Sequence, residues 1–148
     1  MEMTFIRVRS AKDVIVSAVL LISGFVLLIL PTSAGVNITG FFMIFAGVIT
    51  AMALKSGYRC TETGERCRKK EHFFQQVMFP LLTAALECAP ASIDLTQEDK
   101  GSAVRLDIYY CKESGRAYLQ LFEYIPYKYE SCSRIYEYKM SEVAKLIK

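Results

Sequence analysis

Between Val14 and Leu54 the chain has no Asp, Glu, Lys, Arg or His: 41 consecutive uncharged residues, with all 33 acidic and basic residues lying to either side. A bilayer core about 30 Å thick takes roughly 20 apolar residues per helical crossing. The stretch holds two such runs, Val14–Leu30 and Val36–Leu54, separated by Pro31-Thr32-Ser33-Ala34-Gly35. Proline breaks a helix, and the small residues after it suit a tight turn. So short a linker makes the two helices antiparallel neighbours. The expected fold class is a membrane α-helical hairpin followed by a small α+β cytoplasmic domain with an antiparallel β-hairpin or a three-stranded sheet. The expected partition is an N-terminal segment over 1–13, spans at 14–30 and 36–54 around a turn at 31–35, a basic juxtamembrane segment over 55–70 and the α+β domain over 71–148.

Orientation follows from where Lys and Arg are retained, because their transfer across the membrane is disfavoured. Arg7, Arg9 and Lys12 precede the first span; Lys55, Arg59, Arg66, Arg68, Lys69 and Lys70 follow the second against only Glu62 and Glu65; the turn has none. Both termini are therefore expected in the cytoplasm, with those six basic residues at the membrane surface, each contributing on the order of 1 kcal/mol against anionic headgroups. A cleaved signal peptide ending near Ala34 is the rival. Its apolar region would be longer than usual, and Asp13 abuts it. Asn37-Ile38-Thr39 matches a glycosylation sequon but sits at the start of a helix, where a chance match is the simpler reading.

Ser17 and Gly24 on the first span, and Gly40, Gly47 and Ala51 on the second, recur one or two turns apart. Small residues let helix backbones approach closely in lipid. Packing of the hairpin on itself is favoured over a homo-oligomer contact. Ion paths and proton relays place ionisable groups inside spans, and these spans carry none, which argues against transport by this chain alone. The formal charge of +3 is too small to suggest nucleic acid.

In the remaining residues, Tyr58–Arg68 contains a Glu-Thr-Gly-Glu turn and reads as a small hairpin or a basic linker. Phe74, Val77, Met78, Leu81, Leu82, Ala85 and Leu86 repeat at helical spacing over Glu71–Cys88. Pro80 either starts that helix or kinks it, and Pro90 ends it. Ala103–Cys111 alternates with period two and Arg116–Ile125 follows a Lys-Glu-Ser-Gly turn, so the two form an antiparallel hairpin. Pro126 stops the second strand, Tyr127–Tyr138 offers a third, and Ser141–Lys148 reads as a short capped helix.

No catalytic motif or phosphate loop is present, and Asp107 and Glu123 read as solvent-facing strand residues. Cys60, Cys67 and His72 are three potential zinc ligands, but structural zinc wants four with tighter Cys spacing. No metal or cofactor is therefore assigned. The five cysteines show no framework spacing; in a cytoplasmic domain they are expected to be reduced, with Cys88, Cys111 and Cys132 as small core residues. Eight of the nine tyrosines fall between Tyr109 and Tyr138. Tyr124, Tyr127 and Tyr129 flank the strand-ending proline and are the candidate partner-binding residues. The leading expectation is a membrane-tethered interaction or regulatory module contacting the bilayer and a protein partner or a second copy. An accessory subunit of a larger membrane complex comes next, and a membrane-associated enzyme or small-ligand sensor last.

Overall fold

The computed structural model describes residues 3–148. They form two compact units: Arg7–Gly57, and Tyr58–Lys148 joined by Ile6 and the described residues before it.

The first unit is a helical hairpin. Helix α1 spans Ala11–Ile29 and α2 spans Ala34–Ala53, both long and apolar enough to cross a membrane. The residues each helix buries are the reverse of those a water-soluble helix pair would bury. Those of α1 are Asp13, Ser17 and Gly24, and those of α2 are Gly40 and Gly47. The large apolar groups point outward, with Ile29 79% and Phe42 64% exposed. Contact between the helices is backbone to backbone: a Cβ added at Gly24 would lie 2.7 Å from the Gly40 carbonyl oxygen, and one at Gly40 would lie 2.8 Å from that of Gly24. Gly47 makes room for Leu21, and Ala51 lines a shallow groove with Arg9, Asp13 and Leu54.

One carboxylate ties the two open ends of the hairpin together. Ser10 caps α1 in a reciprocal capping box: its hydroxyl accepts from the Asp13 amide at 3.3 Å, while Asp13 accepts from the Ser10 amide at 2.9 Å. The same Asp13 carboxylate accepts from the Ser56 amide at 2.8 Å and the Ser56 hydroxyl at 2.7 Å, just past the end of α2. Deeper in, the Ser17 hydroxyl donates to the Asp13 carbonyl and lies 3.3 Å from Thr50 Oγ1.

The second unit is built on an antiparallel sheet. With β1 at Phe5–Val8, β2 at Gly57–Cys60, β3 at Arg66–Phe74, β4 at Val104–Cys111, β5 at Arg116–Ile125 and β6 at Lys128–Ser131, the sheet runs in chain order. A seventh strand, β7 at Tyr136–Lys139, also pairs with β5. Helices α3 (Phe79–Cys88) and α4 (Ala144–Ile147) supply Leu82, Leu86 and Leu146 to a core with Phe74, Leu106, Ile108, Leu119 and Leu121. The Tyr138 hydroxyl donates to the Leu86 carbonyl.

The sheet is larger than the hairpin or three-stranded sheet expected, chiefly because Arg66–Phe74 is a strand and the amphipathic helix starts only at Phe79, with Pro80 in its first turn. Helical spacing of Phe74, Val77 and Met78 coincides there with a period-two pattern hidden by charge. Seven consecutive residues, Arg68–Phe74, pair with Tyr110–Val104, so ladder hydrogen bonds and cross-strand contacts override the local pattern. The basic segment is thus mostly sheet.

Replacing Asp13 with Ala should leave the Ser10 and Ser56 amides unpaired at the hairpin's base and destabilise it by about 2 kcal/mol. Gly24→Leu, whose side chain would meet a backbone carbonyl, should cost about 3 kcal/mol or more. Helix-pair unfolding in detergent, followed by steric trapping, measures both; a parent-like Gly24→Leu would overturn this packing.

Candidate functional site

Strand β4 is central and sorts its residues by parity. Val104, Leu106 and Ile108 enter the helix-covered core, while Arg105, Asp107, Tyr109 and Cys111 lie on the opposite face. That second face contains an ionic cluster. Asp107 is wholly buried rather than solvent-facing, because Lys69 Nζ stands 3.0 Å from one carboxylate oxygen and Arg105 Nε 2.8 Å from the other. Glu71 meets the same ammonium at 2.5 Å. Burial opposes the charge on Lys69, but the Glu71 and Asp107 carboxylates outweigh it and hold the ammonium's pKa above the ordinary lysine value.

Toward one end of this face the charges give way to rings. The Arg105 guanidinium lies 4.7 Å from the Phe122 ring centroid and 4.6 Å from that of Tyr129, a cation stacked between two π faces. Tyr129 is fixed from several sides. Its hydroxyl donates to the Ser102 carbonyl at 2.9 Å, and its ring meets Tyr124 at 5.2 Å and Phe73 at 6.0 Å. Tyr124 is directly opposite Tyr129 in the β5–β6 ladder and remains half exposed.

The hairpin closes immediately beyond them. Ile125 pairs with Lys128, leaving a two-residue loop of Pro126 and Tyr127. Proline suits the first loop position of a type II turn; the second needs positive φ and ordinarily takes glycine. Here it holds Tyr127, the one non-glycine residue with positive φ among the described residues, at φ 76° with its side chain 96% exposed. A non-glycine residue in that region costs of order 1–3 kcal/mol. The three tyrosines therefore have different situations: Tyr129 is a packed hub, Tyr124 a half-exposed flank and Tyr127 a strained, solvent-facing tip.

The six basic residues also divide. Lys69 belongs to the ionic cluster, and Lys70 donates to the Ile147 carbonyl at 3.1 Å and to that of Lys148. Their charges are engaged within the domain; Lys55, Arg66 and Arg68 are exposed and Arg59 is partly so. The three-ligand zinc grouping does not assemble. Cys67 is on the ionic face, bonded to Cys111, while His72 is on the core face, its Nε2 2.7 Å from the Leu146 carbonyl oxygen and its Nδ1 3.2 Å from Glu98. Of the cysteines expected in the core, Cys111 is buried but disulfide-bonded, Cys132 is half-buried and Cys88 is exposed. The expectation of five reduced thiols is corrected by the Cys67–Cys111 bond. No sequence signal pointed to the Lys69–Asp107–Arg105 cluster, since it depends on which positions oppose one another across strands.

Comparison with protein-family models, curated proteins and solved structures yields no match for this chain.

Because the Lys69 pKa is raised in the folded state, its stabilising contribution is complete below the ordinary lysine value of 10.5 and is lost as pH rises through the folded value. Lys69→Met leaves Asp107 with Arg105 alone and should cost about 2 kcal/mol at neutral pH, short of the roughly 3–5 kcal/mol for a buried charge left without a partner. The gap between parent and variant should narrow in strongly alkaline solution. Urea unfolding followed by far-ultraviolet circular dichroism at pH 7 and pH 11 checks this; a constant gap would rule it out.

Proposed function

We propose that the chain is a two-pass membrane protein with both termini cytoplasmic, whose domain is a protein-interaction module that docks its partner through the β5–β6 tip. The observation carrying this reading is Tyr127, a large amphipathic ring held outward at a backbone conformation glycine would adopt without strain. A residue that only closed a turn would be selected for low strain. A residue selected for contact keeps its ring regardless, and tyrosine is among the side chains in which interfaces concentrate binding energy. Tyr124 and Ile125, half exposed beside it, extend the apolar area, and the Arg105–Tyr129 stack gives the tip a rigid base.

The membrane part of the proposal is supported by the hairpin's distribution of residues. Helices that pack through glycine and serine and turn Ile, Phe and Val outward suit an apolar solvent, where van der Waals contact replaces the hydrophobic effect. Basic flanks around an uncharged turn support the orientation. Lys55, Arg66 and Arg68 are the exposed charges available to anionic headgroups.

Two measurements test these parts separately. Tyr127→Gly should keep the fold, or stabilise it by about 1 kcal/mol through relief of the positive φ. It should also weaken recovery of a partner co-purified with the parent in mild detergent by about 2 kcal/mol, roughly thirtyfold. Equal recovery with parent and variant would remove the tip from the interface.

For orientation the domain has its own reporter, since Cys88 is an exposed free thiol. A membrane-impermeant maleimide should label it only after permeabilisation, with Cys88→Ser as the control for other thiols. Labelling of Cys88 in intact cells would reverse the topology.

A further inference from the structure

At the other end of the ionic face the ladder brings three cysteines onto neighbouring strands. Continuing the β3–β4 register one step past Arg68 and Tyr110 sets Cys67 opposite Cys111, and these two are disulfide-bonded with Cα atoms 4.2 Å apart. On the other side of β3, Tyr58 of β2 stands opposite Cys67, and Cys60 lies two residues further along, on the same face. The Cys60 amide donates to the Glu65 carbonyl at 3.0 Å, which fixes it diagonally next to Cys67. Cys60 is a free thiol, fully buried, in one cluster with Cys67, Cys111, Tyr109 and Tyr118. Phe5 closes the cluster, stacked on Tyr109 with ring centroids 3.9 Å apart and tilted against Tyr118 at 5.6 Å.

Packing alone would account for Cys60 as a small apolar filler. It does not account for a free thiol adjoining the middle member of a disulfide. In strand order the three cysteines lie on β2, β3 and β4, with Cys67 between Cys60 and Cys111, the order of nucleophile, attacked sulfur and leaving sulfur in thiol–disulfide exchange.

We propose that Cys60, Cys67 and Cys111 form a thiol–disulfide exchange site in which Cys67 alternates between two partners. The Cys60 thiol gives up its proton and the thiolate attacks Cys67 Sγ. The Cys60–Cys67 bond forms as the Cys67–Cys111 bond breaks, and Cys111 leaves as a thiolate that takes up a proton. No electrons enter or leave the protein in this step. Opening of either bridge takes two electrons and two protons from an external dithiol, which becomes a disulfide. Exchange moves the covalent tie from the β3–β4 ladder to the β2–β3 hairpin, beneath the ring of Phe5. None of this depends on where the domain meets a partner.

The test uses the full chain in mild detergent, equilibrated with graded ratios of reduced to oxidised dithiothreitol, quenched in acid, alkylated and digested with trypsin. Cleavage after Arg59, Arg66, Arg68, Arg105 and Lys112 puts the three cysteines on separate peptides, so mass spectrometry distinguishes the bridges. The parent should contain Cys67–Cys111 and, at intermediate ratios, a Cys60–Cys67 species. Cys111→Ser should form Cys60–Cys67 in at least half of the molecules in the buffer that closes the parent's bridge. Absence of any Cys60–Cys67 peptide from the parent at every ratio would overturn the proposal, whatever the fate of the variant. So would its appearance only alongside bridges to Cys88 or Cys132, which marks scrambling in unfolded chains.

Discussion

The register of β4 is the constraint on which the domain depends. Because side chains alternate between faces, a slip of one residue would carry Asp107 into the helix-covered core and turn Leu106 and Ile108 outward. Two independent sets of interactions oppose that slip. One is the burial of Leu106 and Ile108 beneath Leu82 and Leu86. The other is the pairing of Asp107 with Lys69 and Arg105 on the opposite face. Buried ion pairs add little net stability over apolar residues of similar volume, but a buried carboxylate without its cations is strongly unfavourable. The cluster therefore acts chiefly by excluding alternative registers. The Arg105 stack and the cysteine row stand on the same face and inherit its alignment.

In the hairpin the logic is different, because little apolar area is hidden between the helices. What remains is close backbone approach at Gly24 and Gly40 and the hydrogen bonding of Asp13 at the base. These two features fix different quantities. Glycine contacts set how closely the helices lie, and Asp13, bonded to both Ser10 and Ser56, sets where each begins and ends.

The sequence made some elements plain because one pattern dominated each. The charge-free stretch announced two long apolar helices, the alternation of Val104–Cys111 and the turn ending at Gly115 had no serious competitor, and β4 and β5 lie where that alternation puts them. Arg66–Phe74 was obscure for a physical reason: five of its nine residues are basic or acidic, and the pairing partners of four of them, Arg68–Glu71, lie more than thirty positions away on β4. The same non-locality hid the burial of Asp107 and the bond between Cys67 and Cys111, separated by 44 positions. Asp13 registered only as a charge abutting an apolar run. Its role depends on Ser56, which becomes a neighbour only once the hairpin closes. At the candidate tip, Pro126 was legible as a strand terminator, but the different situations of Tyr127 and Tyr129 follow from a two-residue loop whose register the chain does not announce.

The basic flanks and the disulfide make opposing demands on compartment. On the proposed two-pass reading, nine Lys and Arg residues flank the spans and the short turn ties both flanks to one side, so export of the domain would carry all nine across together. A permanent disulfide, in contrast, belongs to an oxidising compartment. The two demands differ in how easily each is met. Reversing the topology opposes the whole charge distribution, whereas opening the Cys67–Cys111 bond leaves the β3–β4 ladder in register, because seven paired residues from Arg68 to Phe74 hold it without the crosslink. In the proposed cytoplasmic placement the bond would be a reversible closure of cysteines the sheet already sets opposite one another. Cys60, buried in the same cluster beside Phe5 and Tyr109, is the free thiol the sheet sets next to it.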